Sequence, residues 1–366
     1  MSFTSICPLK ILFLAPYPLH VAPSQRFRFE HFFKSIKEKS WECEFRSFIP
    51  AWGWQYLFGN HRTIQPLLLI TGFLRRILHL GSAYTADVIF IHRELTPLGP
   101  PVFEWIIAKI LRKKIIYDFD DAIWMNDGHD NRIIWWLKWR SKVHRICRWS
   151  WKVSVGNAFL ADFARQYADQ VIVLPTVVDT EVHTPPVSKQ KQNNVVIGWT
   201  GSHSTLFYLD SLLPILRQLE KTIPFDFLVI ANQNPKLPLR NFRFIKWNKE
   251  TEIEDLASID IGLMPLEDTE WAKGKCGFKL IQYGALAIPS VASPVGVNQT
   301  LISHATTGFL ASTPSDWTNY LSALLDDPDL RHQIGQNARL EIIAKYSVSS
   351  LQENFLKLFE PNQSNS

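Results

Sequence analysis

The stretch "GKCGFKLIQYGALAIPSVASPVG", residues 274 to 296, sets two glycines and two lysines before an apolar segment that passes into a β-like run and a further turn. A helix opening at Gly277 and Phe278 and running to about Ala287 would leave its first N–H groups without intrahelical partners, and with the helix dipole these form an anion site. Lys275 and Lys279 would add positive charge. Gly277 would let the backbone approach a phosphate closely, and Gln282, about one turn further on, could hydrogen-bond a sugar hydroxyl. The competing reading is a surface loop with solvated lysines ahead of an ordinary core helix, because glycine with lysine is not a complete P-loop pattern.

Around this stretch, apolar strand-like runs alternate with helical patterns, the mark of a parallel α/β architecture. The alternation occurs twice. "ILFLAP", "DVIFIH", "KIIYDF", "KVSVG" and "QVIVLP" read as buried strands in the first half, and "NVVIGWTG", "FDFLVIA", "FRFIKW", "IDIGLMPL", "IPSVAS" and "TGFLAS" in the second. The polar, proline-containing "HTPPVSKQKQNN", residues 183 to 194, reads as a linker between a domain of residues 1–182 and one of residues 195–345. Residues 346–366 read as an amphipathic helix, capped by Ser347 or Ser349, with a disordered tail. Two Rossmann-like doubly wound domains facing a cleft would place a ligand at their strand C-termini.

Length and composition agree with this organisation. A chain of 366 residues with 46% hydrophobic content buries a sizeable core and suits two domains. The net charge of +5 is modest, so a weakly cationic face toward phosphate or anionic lipid is expected, with no nucleic-acid partner. Cys7, Cys43, Cys147 and Cys276 lack metal-ligand or paired spacing, which predicts a reducing compartment, the cytoplasm. The segment "KILFLAP" is too short for a signal or a membrane span.

The chain resembles the GT-B glycosyltransferases, specifically retaining glycosyltransferase family 4, also called glycosyl transferases group 1. The resemblance is carried by "SIDIGLMPLEDTEWAKGKCGFKLIQYGALAIPSVASPVGVNQTLI", "TTGFLAS" and "LLDDPDLRHQIGQNARLEIIAKYSV" in the second half. In the first half it is carried by "APSQRFRFEHF", "DVIFIHRELTPLGPP", "IIYDFDDAIW" and "VIVLPTVVDT". It implies a GT-B fold whose second domain binds a nucleotide-diphosphate sugar as donor, with no further cofactor. The family usually carries two glutamates eight positions apart where this chain has Gly274 and Gln282. A glutamine can still bond a ribose; Gly274 cannot, which leaves Glu267, Asp268 or Glu270 as replacements. In "GWTGSHSTLFYLDSLLPIL", Gly201 and Ser202 would face the diphosphate, unless Gly201 is only a tight turn. Trp199 and Ser204 stand where the family has an arginine and a lysine, so the charge must come from Lys275 and Lys279, or from Arg26 and Arg28 of "PSQRFR".

The run "DFDD", Asp118 to Asp121, ends a strand at a place where a metal-binding Asp-X-Asp would stand in the other glycosyltransferase fold, GT-A. The GT-B resemblance puts this strand in the acceptor domain and implies no metal. Relatives often carry a histidine at the position of Asp120, so Asp120 is expected to contact the transferred sugar or receive the acceptor's proton; the alternative is capping and loop ordering. His92, ending "VIFIH", is a second catalytic candidate or a structural histidine. In "NRIIWWLKWRSKVHRICRWSWK", residues 131 to 152, a single helix would gather Trp136, Trp139, Val143 and Ile146 on one face and Lys138, Lys142, Arg145 and Lys152 on another. That helix would either meet an anionic membrane interface or pack as a core helix with a solvated basic face. "FIPAWGWQYLFGNHRTIQPLLLITGFLRRILHL" adds further aromatics and favours peripheral attachment over spanning, at the inner face of the membrane. The function expected is transfer of a sugar to a hydroxyl of a glycan or lipid-linked acceptor with retention, in cell-surface polysaccharide or glycolipid synthesis. The alternatives are an inactive sugar-nucleotide-binding protein and a GT-B-fold epimerase.

Overall fold

The computed structural model describes residues 8–57, 63–126, 132–186 and 194–361. The chain divides into two compact units, Met1–Thr176 with Leu351–Ser366, and Val177–Ser350. Of the expected linker, residues 187–193 lie outside the described residues, as do residues 362–366 of the tail.

Unit 1 is a parallel six-stranded sheet in the order β2-β1-β3-β4-β5-β6. Its strands are β1 (Lys10–Ala15), β2 (Glu42–Ser47), β3 (Val88–His92), β4 (Lys114–Phe119), β5 (Lys152–Val155) and β6 (Val171–Val173). β1, β3 and β4 are near-continuous apolar runs, as parallel strands covered on both faces must be. β2, "ECEFRS", has no such run and escapes the sequence reading; it is an edge strand, where alternate charged residues reach water.

Unit 2 repeats the plan with β7 (Val195–Gly201), β8 (Phe225–Ala231), β9 (Phe242–Lys246), β10 (Ile261–Met264), β11 (Ser290–Ala292) and β12 (Phe309–Leu310), ordered β12-β11-β10-β7-β8-β9. Every neighbouring pair is parallel. Together the two sheets with their helices are the α/β architecture of the GT-B fold.

Of two sequence expectations about helices, one is met and one changes. The helix Val348–Lys357 packs on unit 1: the Phe355 ring stacks on Phe32 at 4.2 Å, and Phe359 lies 6.0 Å from Phe13. Ser347 caps it, its hydroxyl accepting from the Ser350 N–H at 3.0 Å. Residues 132–149 form two helices, Arg132–Leu137 and Lys142–Trp149, because Trp139 turns into the left-handed region at φ 49°. The single stripe of Trp136, Trp139, Val143 and Ile146 therefore does not form, and Lys142 is buried instead of joining a solvated basic face.

A buried ionic network ties the strand ends of unit 1. The Arg28 guanidinium donates to both oxygens of Asp118, to the Ser154 hydroxyl at 3.2 Å and to the Leu174 carbonyl, joining segments from across the sheet. His92 Nδ1 lies 2.8 Å from the second Asp118 oxygen. Burial alone would push the Asp118 carboxyl up, but Arg28 and the His92 hydrogen bond outweigh it and hold the group well below the usual carboxylate range. The folded carboxyl being the more acidic, its stabilisation is present above about pH 4 and fades as pH falls below that value. Asp118→Asn, which strands a buried guanidinium, should cost about 3–5 kcal/mol at neutral pH. The gap to the wild type, read from urea midpoints, should narrow as pH drops below about 4; a gap that stays constant would show that Asp118 does not carry this charge.

Candidate active site

In each unit the chain reverses its winding once, and that reversal marks a candidate site. After β7 the chain builds β8 and β9 on one side, then returns to lay β10 on the other side of β7. The crossovers after β7 and β10 leave in opposite directions and open a crevice beyond the two carboxyl ends. Gly201 and Ser202 leave β7 there, and the loop 265–277 leaves β10 and enters the helix Phe278–Ala285.

Trp199, buried on β7, joins the two segments. A Cβ on Gly201 would lie 2.5 Å from the Trp199 ring, so only glycine lets the strand end close over it. Lys279 Nζ sits 4.9 Å from the centroid of the same ring, and the Thr200 N–H donates to the Tyr283 hydroxyl at 3.1 Å. The structure thus brings Gly201 and Lys279 to one indole. Gly277 is the residue before the helix, at φ +69°, and its absent Cβ would collide with Leu301 at 2.1 Å. Both requirements select glycine, and Phe278 then opens the helix. Lys275 stands 4.6 Å over the Trp271 ring. Ser202 is extended, its hydroxyl 2.8 Å from that of Ser204, while the His203 N–H and ring both bond Asn232.

Gln282 departs from the expectation of a hydroxyl-binding amide. It is 2% exposed, on the inward side of the helix, and donates to Glu252 at 3.3 Å. Trp247 Nε1 donates to the same carboxylate oxygen at 3.3 Å. Of the carboxylates considered in place of Gly274, Asp268 and Glu270 are held by Lys273 at 3.6 and 2.7 Å. Arg28 is no source of charge for a diphosphate, being fully buried against Asp118 within unit 1.

Unit 1 has its own reversal between β1 and β3. There lies a pocket of about 270 Å³, lined by Pro16 and Tyr17 after β1, by Arg93, Glu94 and Leu95 after β3, and by apolar Phe48, Ile49 and Leu69. Of the four cations that line it, Arg93 and Lys142 are held by carboxylates and Arg140 donates to the Ile123 carbonyl at 3.0 Å. Arg93, at φ 60°, donates to Asp120 and Asp121, each at 2.8 Å. Burial works against its charge, yet the two carboxylates and Tyr17 raise its pKa further. Lys142 Nζ bonds the Thr96 carbonyl at 2.6 Å and Glu94 at 2.7 Å.

Asp120 therefore stands behind a residue of the pocket wall rather than alone at a strand end. His92, expected in a cleft, is 0% exposed; Nδ1 is turned to Asp118, and Nε2 is buried with no hydrogen-bond partner. Among the described residues no three His, Cys, Asp or Glu side chains gather as a metal-binding group. The sequence reading missed Trp199 as the shared platform and the Glu252–Gln282 pair. Trp199 was legible only as a lost charge, and nothing local marks Glu252 as a partner from another segment.

Residues 232–341, within unit 2, match the family model described as glycosyl transferases group 1. No curated protein matches the sequence. Sucrose-phosphate synthase from Thermosynechococcus elongatus superposes with a TM-score of 0.70 at 12% identity, covering 96% of this chain and 98% of that one. A glycosyltransferase from Rickettsia africae ESF-5 gives 0.70 at 14% identity, covering 98% and 100%. Anabaena HepE, solved in complex with UDP and glucose, gives 0.65 at 17% identity, covering 96% and 99%. Likeness at these identities is a likeness of fold. The chain has the GT-B fold, and its second unit carries the segment that matches glycosyl transferases group 1.

Proposed function

We propose that this protein is a glycosyltransferase that moves a sugar from a nucleoside-diphosphate sugar to a hydroxyl of a glycan or lipid-linked acceptor with retention, serving cell-surface polysaccharide or glycolipid synthesis at the cytoplasmic face of the membrane. The observation that carries it is the convergence of Gly201, the Gly277–Phe278 helix start and Lys279 at the reversal of unit 2, inside the group 1 match for all but the first. The solved complexes of HepE with UDP and UDP-glucose support this class of donor.

A diphosphate leaving group gathers negative charge as the glycosidic bond breaks, and prearranged N–H groups and ammonium ions stabilise that charge without reorganising. The Phe278 helix start, Ser202, Lys275 and Lys279 would do this, with Glu252, not Gln282 directly, nearest in chemistry to the missing glutamate. Retention requires the acceptor hydroxyl on the face the diphosphate leaves. Unit 1 would hold the acceptor at its pocket; Asp120, behind the wall residue Arg93, would act on the hydroxyl or its proton only if the acceptor reaches past Arg93, and His92 would act by holding Asp118. No metal is needed on this reading, since the carboxylates of "DFDD" that would bind one are engaged by Arg28 and Arg93. Gly274 in place of a glutamate favours a second reading, a sugar-nucleotide binder without transfer; release of nucleoside diphosphate with sugar appearing on an acceptor separates them, and also excludes an epimerase.

Lys275→Ala and Lys279→Ala should each weaken calorimetric affinity for the nucleoside diphosphate by about 1–3 kcal/mol; wild-type affinity in both removes them from the site. Asp120→Asn should lower turnover about 10²-fold with little change in nucleotide affinity. Retained turnover with an earlier melt would make Asp120 only the anchor of Arg93. Transfer should survive EDTA, whereas loss restored by manganese or magnesium would return "DFDD" to the metal-binding reading.

A further inference from the structure

The helix Ile64–Thr85 of unit 1 buries Leu68, Gly72 and Ala83 yet also carries a long apolar stripe on its outer side. Toward its unit it sends Arg76, 1% exposed, and His79, whereas Leu67, Ile70, Leu74, Ile77, Leu78 and Tyr84 face outward, each 54–75% exposed. The spacing of those six places them on one helical stripe. The exposed residues of the helix include no charged side chain. Its rotation is fixed from within, because Arg76 donates to the carbonyls of Leu95 at 2.8 Å, Ala15 at 2.7 Å and Arg46 at 3.2 Å. Turning the stripe inward would strand a buried guanidinium.

The surroundings of the stripe are aromatic and cationic. Gly53 packs against Leu68 of the helix, and the adjacent Trp52 is exposed. Phe103 lies 6.4 Å from Phe73, and Val102 and Trp105 beside it are exposed. Lys113 Nζ stands 5.8 Å from the Tyr84 ring, with exposed Lys109 and Arg112 in the same segment. The pocket of unit 1 draws Leu69 from this helix and Lys138 from the segment 132–152, which holds seven lysines and arginines and no acidic residue. That segment exposes Trp135 and Trp136.

We infer that the outward face of Ile64–Thr85, with the exposed tryptophans around it, docks unit 1 onto the surface of a bilayer bearing anionic headgroups. Leucine and isoleucine enter the acyl boundary, tryptophan settles at headgroup level, and the cations meet lipid phosphate. Charge decides between a bilayer and a second copy of this chain. The stripe itself is uncharged, but Lys109, Arg112 and Lys113 border it and Glu44 beside it is already engaged by Ser82 and Arg46, so the charge around it suits anionic headgroups better than a second copy that would bring the same cations to the rim. No helix among the described residues is long and apolar enough to cross the membrane, so the contact is one of lying on it. The inference rests on the proposed transfer only for its purpose, the meeting with a lipid-linked acceptor; binding itself does not require turnover.

The test is cosedimentation of the full chain with phosphatidylcholine vesicles, with and without phosphatidylglycerol. Wild type should bind the anionic vesicles, less at high salt, and Leu74→Glu with Ile77→Glu should lower that binding at least about tenfold while leaving the far-ultraviolet spectrum and nucleotide affinity unchanged. Equal binding by wild type and variant, or no binding by wild type, overturns the proposal. So does a wild-type dimer in light scattering that the same pair of substitutions dissolves, which would give the face to a second copy. Vesicle binding without sugar transfer leaves this inference standing and refutes the proposed function.

Discussion

Parallel strands are joined almost always by right-handed crossovers, and with the strand order of this chain that constraint decides where its two crevices open. Each unit starts in the middle of its sheet, winds outward, then returns to the other side of its first strand. The return leaves one crevice per sheet at the carboxyl ends of two neighbouring strands. In unit 2 the crevice is bounded by Gly201 and by the loop leading to Phe278; in unit 1 it is the pocket between Tyr17 and Arg93. The residues there are exceptions to ordinary packing: two glycines required by close contacts, a left-handed arginine, and cations held by named carboxylates.

The two crevices are furnished differently. That of unit 2 has few fixed carboxylates at the helix start and two lysines resting on indole rings, an arrangement receptive to an anion. In the crevice of unit 1 two cations are matched by carboxylates, Arg93 by Asp120 and Asp121 and Lys142 by Glu94, while Lys138 and Arg140 also line it. On the proposed function, the fixed Arg93 and Lys142 would set part of the charge geometry before an acceptor arrives, which suits orientation of a hydroxyl.

Of the twelve strands among the described residues eleven were legible: the inner ones because a doubly covered strand is apolar along its length, and the edge strands β6, β9 and β12 because each keeps apolar residues in its run, whereas the edge strand β2 sets Glu42, Glu44 and Arg46 at alternate positions. The position of Gly277 followed from local chemistry alone. The fates of His92 and Gln282 did not, since each depends on a partner far along the chain, Asp118 and Glu252, whose approach is set by the sheet. The break at Trp139 was hidden because a tryptophan at positive φ carries no local signal. The outward stripe of Ile64–Thr85 was readable as an apolar pattern, but which side faced water was decided by Arg76 and its three carbonyl partners.

The central claim is that a nucleoside diphosphate sits at the carboxyl ends of β7 and β10. Amide hydrogen exchange, followed peptide by peptide with UDP, GDP or ADP at saturating concentration, tests it most directly. At least one of the three should slow exchange in residues 200–205 and 276–281 together, as the Phe278 helix start and the Gly201 turn close on the same ligand. Protection confined to unit 1, or binding that leaves both segments unchanged, would contradict the account.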